Sequence, residues 1–227
     1  MSIADRLDTI RDVIEGAACA VGRDPSTVRL VAVSKTKPAA MIDEAYAAGQ
    51  TLFGENYVQE LLEKAGQVRS PVSWHFIGHL QSNKVKYLVG LVSLIHSVDR
   101  LSLAEEIDRQ WGKRGMVCDI LVQLNISREG TKSGASEEEA ISLVRAISLL
   151  PHVRIRGLMT IPPFFDNPER ARPIFRRLRE IAREIDRLSL PNVSMEELSM
   201  GMSGDFVAAI AEGATLVRIG TAIFGSR

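Results

Sequence analysis

Apolar positions recur along this chain with two different periods. At the N-terminus Ile3, Leu7, Ile10, Val13 and Ile14 fall at helical spacing, which predicts an amphipathic helix running to about Ala20. After the turn GRDPS the pattern becomes repetitive. Strand-like apolar stretches occur at 28–34, 51–55, 73–79, 91–98, 117–125, 153–161, 193–200 and 215–220. The gaps between them hold PAAMIDEAYAAG, NYVQELLEKAGQV, SNKVKYLVG, RLSLAEEIDRQWGKRG, SEEEAISLVRAISLL, NPERARPIFRRLREIAREIDRLS and GDFVAAIAEGA, each helix-like. Strands that alternate with helices pair in parallel through helical crossovers.

Eight such units in 227 residues predict an α/β fold, a single (β/α)8 TIM-type barrel with an extra N-terminal helix, since that fold takes ~250 residues. The alternative is a doubly wound open sheet. That fold carries a glycine-rich phosphate turn after its first strand, and here the turn is SKTKP. With no Pro/Gly/Ser-rich linker, residues 1–227 read as one domain, the helix in 1–22 and the barrel in 28–225. Two helix starts are marked by Ser136 with Glu139, a capping box, and by Asn167-Pro168.

Composition narrows the partners. Twenty-eight basic residues balance twenty-eight acidic ones, so the positive field that nucleic acid or an anionic membrane requires is missing. No apolar run reaches bilayer length, and MSIADRLDTIRDVIEG lacks the core of a signal peptide, so the expected compartment is the cytoplasm. Cys19 and Cys118 are too few for a disulfide framework or a zinc site. His75 and His79 are four apart, but on a strand-to-loop stretch that spacing does not put them on one face. No metal is expected. The arginine-rich stretch 169–187 also contains Glu180, Glu184 and Asp186, which makes it a salt-bridged solvent face.

Active sites of (β/α)8 barrels lie at the C-terminal strand ends. The first strand ends in Ser34-Lys35-Thr36-Lys37, and Lys35 shares its parity with Val31 and Val33. A lysine partly desolvated in a barrel mouth is easier to deprotonate, and a neutral amine is suited to a Schiff base with a carbonyl. The ordinary alternative is a rim lysine or a pair with Glu55. Lys37 reads as surface charge. Gly201-Met202-Ser203-Gly204 leads into an apolar helix, and Gly220-Thr221 follows the last strand. Loops at those two positions form the usual phosphate cradle of this fold. A lysine facing a phosphate cradle suits pyridoxal 5′-phosphate (PLP). Arg218 could then meet the pyridine nitrogen; its alternative is a salt bridge with Glu197.

The segments LVAVSKTKP, FGENYVQE, WHFIGHLQSNKVK, SVDR, RGLMTI and LSMGMSGDFVAAIAEGATLVRIGTAIFG together resemble the YggS/PROSC family of PLP homeostasis proteins. The resemblance spans nearly the whole chain. It implies a PLP-bound barrel similar to that of alanine racemases, with the cofactor covalent on Lys35. It further implies that Ser203, Gly220 and Thr221 hold the phosphate, that Arg218 faces the pyridine nitrogen, and that Asn56 and Met200 line the cofactor.

A racemase needs a base on each face of the α-carbon, and alanine racemases take the second, a tyrosine, from a domain beyond the barrel. Here Tyr46, Tyr57 and Tyr87 all lie in helix-like segments. The expected function is therefore intracellular PLP homeostasis by a monomeric carrier without dedicated turnover, with PLP-dependent apoenzymes as the partners that direct transfer would involve. The competing reading is a PLP-dependent amino-acid racemase completed by dimerisation. A third is an interaction protein with a vestigial PLP site.

Overall fold

The computed structural model describes residues 1–127 and 133–225, and in it the eight predicted strands close into a parallel barrel in sequence order. The strands are β1 (Arg29–Val33), β2 (Leu52–Glu55), β3 (Ser73–Phe76), β4 (Leu94–Val98), β5 (Cys118–Leu124), β6 (Val153–Thr160), β7 (Val193–Met202) and β8 (Leu216–Ile219). Around them lie α1 (Ile3–Cys19), α2 (Ala39–Ala47), α3 (Val58–Gln67), α4 (Leu101–Gly112), α5 (Glu137–Ile147), α6 (Arg172–Asp186), α7 (Phe206–Ala211) and α8 (Thr221–Phe224). The stretch after β3, predicted as a helix, is a 3-10 helix over Ser82–Tyr87 that buries only Val85. One buried side chain is too little to anchor a full α-helical stripe.

Strand alternation separates two cores. Outward positions such as Ala32, Phe53, Trp74, Phe76, Ile95, Leu198 and Val217 pack with the helices in the larger one. Inward positions Val31, Leu94, Leu121, Met159 and Leu216 fill the barrel axis. The axis also holds buried polar side chains that share these inward parities, among them His75, His96, Gln123, Ser199 and Arg218.

The predicted caps form, with one displacement. Ser136 and Glu139 make a reciprocal capping box on α5. Asn167 caps a 3-10 turn, Pro168–Ala171, that precedes α6. α1 begins with its own capping box, Ser2 with Asp5, and buries Ile3, Leu7, Ile10, Ile14 and Ala18. It packs against α2, α7 and α8. On α6 the salt-bridged face forms with partners partly off the helix: Arg177 bridges Glu137, Glu180 and Glu184, while Arg172, Arg176 and Arg179 converge on Glu212. Among the described residues no helix is long and apolar enough to cross a membrane.

Candidate functional site

The C-terminal strand ends enclose a cavity of about 420 Å³. Lys35, Asn56, Ser203, Arg218, Gly220 and Thr221, expected from the sequence to act together, all line it. They come from the ends of β1, β2, β7 and β8, up to 186 positions apart (221 − 35). Closure of the barrel is what makes them neighbours.

Lys35 follows β1, with Val33 also lining the cavity and Val31 one step deeper in the axial core. The backbone on either side of Lys35 is fixed by a buried ionic cluster. Lys64 Nζ, from α3, donates to Ser34 O at 2.6 Å, to Glu55 Oε1 at 2.7 Å and to Glu60 Oε1 at 2.6 Å. An ammonium has three hydrogens, so this set uses all of them. Ser34 Oγ also donates to Glu55 Oε1, at 2.7 Å. On the far side the Thr36 N–H donates to the Glu60 carboxylate. Thr36 adopts φ 65°, a left-handed conformation that a β-branched residue takes only when its surroundings hold it there. Glu55 is therefore the partner of Lys64, and the alternative pairing of Lys35 with Glu55 is overturned. Burial raises the Glu55 pKa, and the hydrogen bonds from Lys64 and Ser34 oppose that rise. Nothing in the local pattern marks Lys64, which sits in an ordinary amphipathic helix.

Across the cavity the β7–α7 turn is closed by two bonds. Met202 N donates to Asp205 Oδ1 at 2.6 Å, and Asp205 N donates to Met202 O at 3.0 Å. Between them the N–H groups of Ser203 and Gly204, which line the cavity, have no acceptor among the described residues. Gly220 begins the second turn, where a Cβ would lie 3.0 Å from Val33 O. Asn56 presents an Oδ1 that is buried without a hydrogen-bond partner. Its close fit requires Gly78, since a Cβ there would sit 2.0 Å from Asn56 O.

Arg218 is only 4% exposed at the cavity floor. Its Nη1 donates to Ser199 Oγ and its Nη2 to Thr160 O, the latter at 3.0 Å. Burial lowers its pKa to about 10, with Asp205 acting in the opposite sense, so it stays charged at neutral pH. The alternative bridge to Glu197 does not form, because Glu197 pairs with Arg29 and accepts from Thr215 Oγ1.

Met200 needs correction. Its side chain is fully buried in the outer core, because inward positions of β7 have the parity of Ser199. β7 runs on to Met202 through a register shift between Ser199 and Met202 that breaks the alternation, and it is Met202 that lines the cavity. Ile77, Ile161, Phe165, Asp205 and Lys37 also line it and were not expected there. Parity would have found Ile77 from His75. His75 and His79 are separated as expected: His75 bonds His96 inside the barrel, and His79 Nδ1 lies 3.3 Å from Ser133 Oγ. Among the described residues no cluster of His, Cys, Asp or Glu could hold a metal.

A primary amine, a guanidinium, an unpartnered amide oxygen and two free N–H groups around an apolar middle are a fit for an aromatic aldehyde carrying a phosphate. Comparison with known proteins decides the lineage. Residues 7–227 match the family model described as alanine racemase, N-terminal domain. The pyridoxal phosphate homeostasis protein of Aquifex aeolicus (strain VF5) is 46% identical over 228 residues, covering 100% of this chain and 99% of that protein. The chain belongs to the pyridoxal phosphate homeostasis protein family. The family member from Escherichia coli (strain K12) is 44% identical over 229 residues, covering 99% of this chain and 97% of that protein. Another, PipY of Synechococcus elongatus PCC7942, has been solved with PLP bound. It matches with a TM-score of 0.87 at 39% identity, over 99% of this chain and 100% of that one. The barrel that the sequence resemblance implied is the barrel observed.

Proposed function

We propose that this protein holds PLP in the 420 Å³ cavity, attached through Lys35, and serves PLP homeostasis without dedicated substrate turnover. The observation that carries the reading is the convergence of Lys35, Arg218, the unpartnered Asn56 Oδ1 and the free Ser203 and Gly204 N–H groups on one cavity. When bound, PLP supplies an aldehyde that condenses with a primary amine, releasing water. Lys35 offers that amine from a backbone held on both sides by the Lys64 cluster. Ser203, Gly220 and Thr221, with the Gly204 N–H, would hold the phosphate. Arg218 would set a fixed positive charge against the pyridine nitrogen and so disfavour its protonation. Asn56, Val33 and Ile77 would line the ring, with Met202 in the place first given to Met200.

The carrier reading is favoured over a racemase by the cavity wall. Among the described residues none of Tyr46, Tyr57 and Tyr87 lines it, and Tyr57 is 58% exposed. No tyrosine stands ready as a second base. The same reading has the protein work as a cytoplasmic monomer, with the apo forms of PLP-dependent enzymes as recipients. Titration of the purified protein with PLP should give one equivalent of visible absorption that is lost on adding such an apoenzyme. Incubation with L-alanine should leave optical rotation unchanged beyond one equivalent. Sustained loss of rotation would replace this reading by the racemase.

A further inference from the structure

The barrel axis holds a chain of polar side chains that begins at Arg218 on the cofactor cavity and runs away from it. Arg218 Nη1 donates to Ser199 Oγ. Ser199 Oγ lies 2.9 Å from His96 Nδ1, and His96 Nε2 lies 2.8 Å from His75 Nδ1. Exposures of 0% for Ser199 and His96 and 4% for His75 leave water little access along it. The chain spans β8, β7, β4 and β3, four different strands. At its far end His75 lines a second cavity, at the N-terminal strand ends, together with Arg29, Ser73, Ser93 and Glu197.

Hydrogen counting gives this chain a direction. A guanidinium has no acceptor, so Ser199 Oγ must accept from Arg218. Ser199 has one hydrogen of its own, and among the described residues its side chain has one other partner, His96 Nδ1. Were His96 to carry its hydrogen on Nδ1, Ser199 would accept twice and its buried hydrogen would have no acceptor, which costs ~1–3 kcal/mol. Ser199 therefore donates to a bare Nδ1, and His96 bears its hydrogen on Nε2. His96 then donates to a bare His75 Nδ1, which puts the His75 hydrogen on Nε2. Each ring is neutral, and each tautomer is set by the one before it.

We infer that Ser199 and His96 are positioning residues for the cofactor: through a one-way hydrogen-bond chain, Arg218 to Ser199 to His96 to His75, they fix where the Arg218 charge sits. The inference rests on the proposal that Arg218 faces the PLP ring nitrogen, but the tautomers do not depend on it. A guanidinium held at Nη1 by Ser199 and at Nη2 by Thr160 O has both ends anchored. Releasing Nη1 lets the plane rotate away from the ring.

Nitrogen-15 NMR of the histidine rings in the full chain, with and without PLP, reads the tautomers directly. The expected result is a neutral ring with its hydrogen on Nε2 at both His96 and His75. A hydrogen on Nδ1 of His96, or a charged ring at neutral pH, overturns the chain. Two substitutions separate positioning from packing, because an asparagine amide overlays Nδ1 of histidine and a glutamine amide overlays Nε2. His96→Asn should hold PLP within about twofold of the parent, since it still accepts from Ser199. His96→Gln and Ser199→Ala should bind PLP roughly tenfold more weakly, about 1.4 kcal/mol, and alter the pH dependence of the visible band. Equal losses in H96N and H96Q, or no loss in either, would contradict the positioning role. If the parent takes up no PLP at all, the proposed function fails, while the ring nitrogens still report on the chain.

Discussion

Replacing Lys64 by methionine is expected to destabilise the protein by about 3–5 kcal/mol, the usual result of removing one partner from a buried ion pair. Glu55 is fully buried, and the change would leave it with Ser34 Oγ as its sole donor. Methionine matches the length of the lysine stem, so lost volume contributes little. Two checks identify the cause. Burial already raises the Glu55 pKa and Lys64 opposes the rise, so without Lys64 the carboxyl holds its proton to higher pH. Its folded pKa then lies further above the unfolded value, and the loss measured by urea unfolding should shrink as pH falls toward the carboxylate range. The double variant Lys64→Met with Glu55→Gln should recover part of the loss, because no unpaired charge remains. PLP uptake should weaken about tenfold in Lys64→Met, since Ser34 O and, through Glu60, the Thr36 N–H both depend on the cluster. An unfolding midpoint equal to the parent's would show that the cluster is not holding this loop.

Acidification should act just as strongly, through the two axial histidines. Burial lowers the His75 pKa to about 3, with the Arg29 charge adding to the effect. Burial lowers that of His96 well below the ordinary value, helped by His75, Arg218 and Arg29. Each ring is neutral when folded and takes up a proton on unfolding below pH ~6.5. Both folded pKa values are depressed, so the stability they carry is fully present above pH ~6.5 and drains as pH falls toward 3. Between pH 7 and 5 the two together should cost about 4 kcal/mol by this linkage. Asp205 and Glu55, whose pKa values burial raises, work in the opposite sense as they protonate. Urea unfolding across this range measures the slope, and His96→Gln, with one titrating ring fewer, should have about half of it. A His96→Gln profile with the same slope as the parent's from pH 7 to 5 would mean that the His96 ring is not held neutral in the folded protein.

The barrel was legible in the sequence because eight strand-like stretches, most of them short and largely apolar, are separated by helix-like stretches. Lys35 could be read for a related reason: parity from Val31 and Val33 carries its side chain inward, and the rule of strand ends says where inward leads. Loop position pointed to the two turns, the family resemblance singled out Ser203, Gly220 and Thr221 within them, and all three line the cavity. Other features depend on distances across the barrel, which shear and tilt set and no local pattern records. His75 and His96 each look like a core residue of its own strand, and Ser199 like a small filler; only closure brings them into line. Lys64 lies on the buried face of an amphipathic helix, where a lysine reads as a snorkelling cation until Glu55, Glu60 and Ser34 O appear around its ammonium. Met200 was misplaced because an end of β7 two residues further on moves the cavity contact to Met202. Lys37 was set aside as surface charge and instead shares the cavity wall.

Lys37 also supplies the sharpest rival for the cofactor, an amine two residues along the same loop. The decisive measurement is borohydride reduction of the PLP-loaded protein followed by peptide mass mapping. The predicted result is one reduced pyridoxyl phosphate on the peptide position of Lys35, absent in Lys35→Ala. Label on Lys37 or another lysine, or PLP bound with no lysine labelled, would contradict the assignment of Lys35 as the anchor.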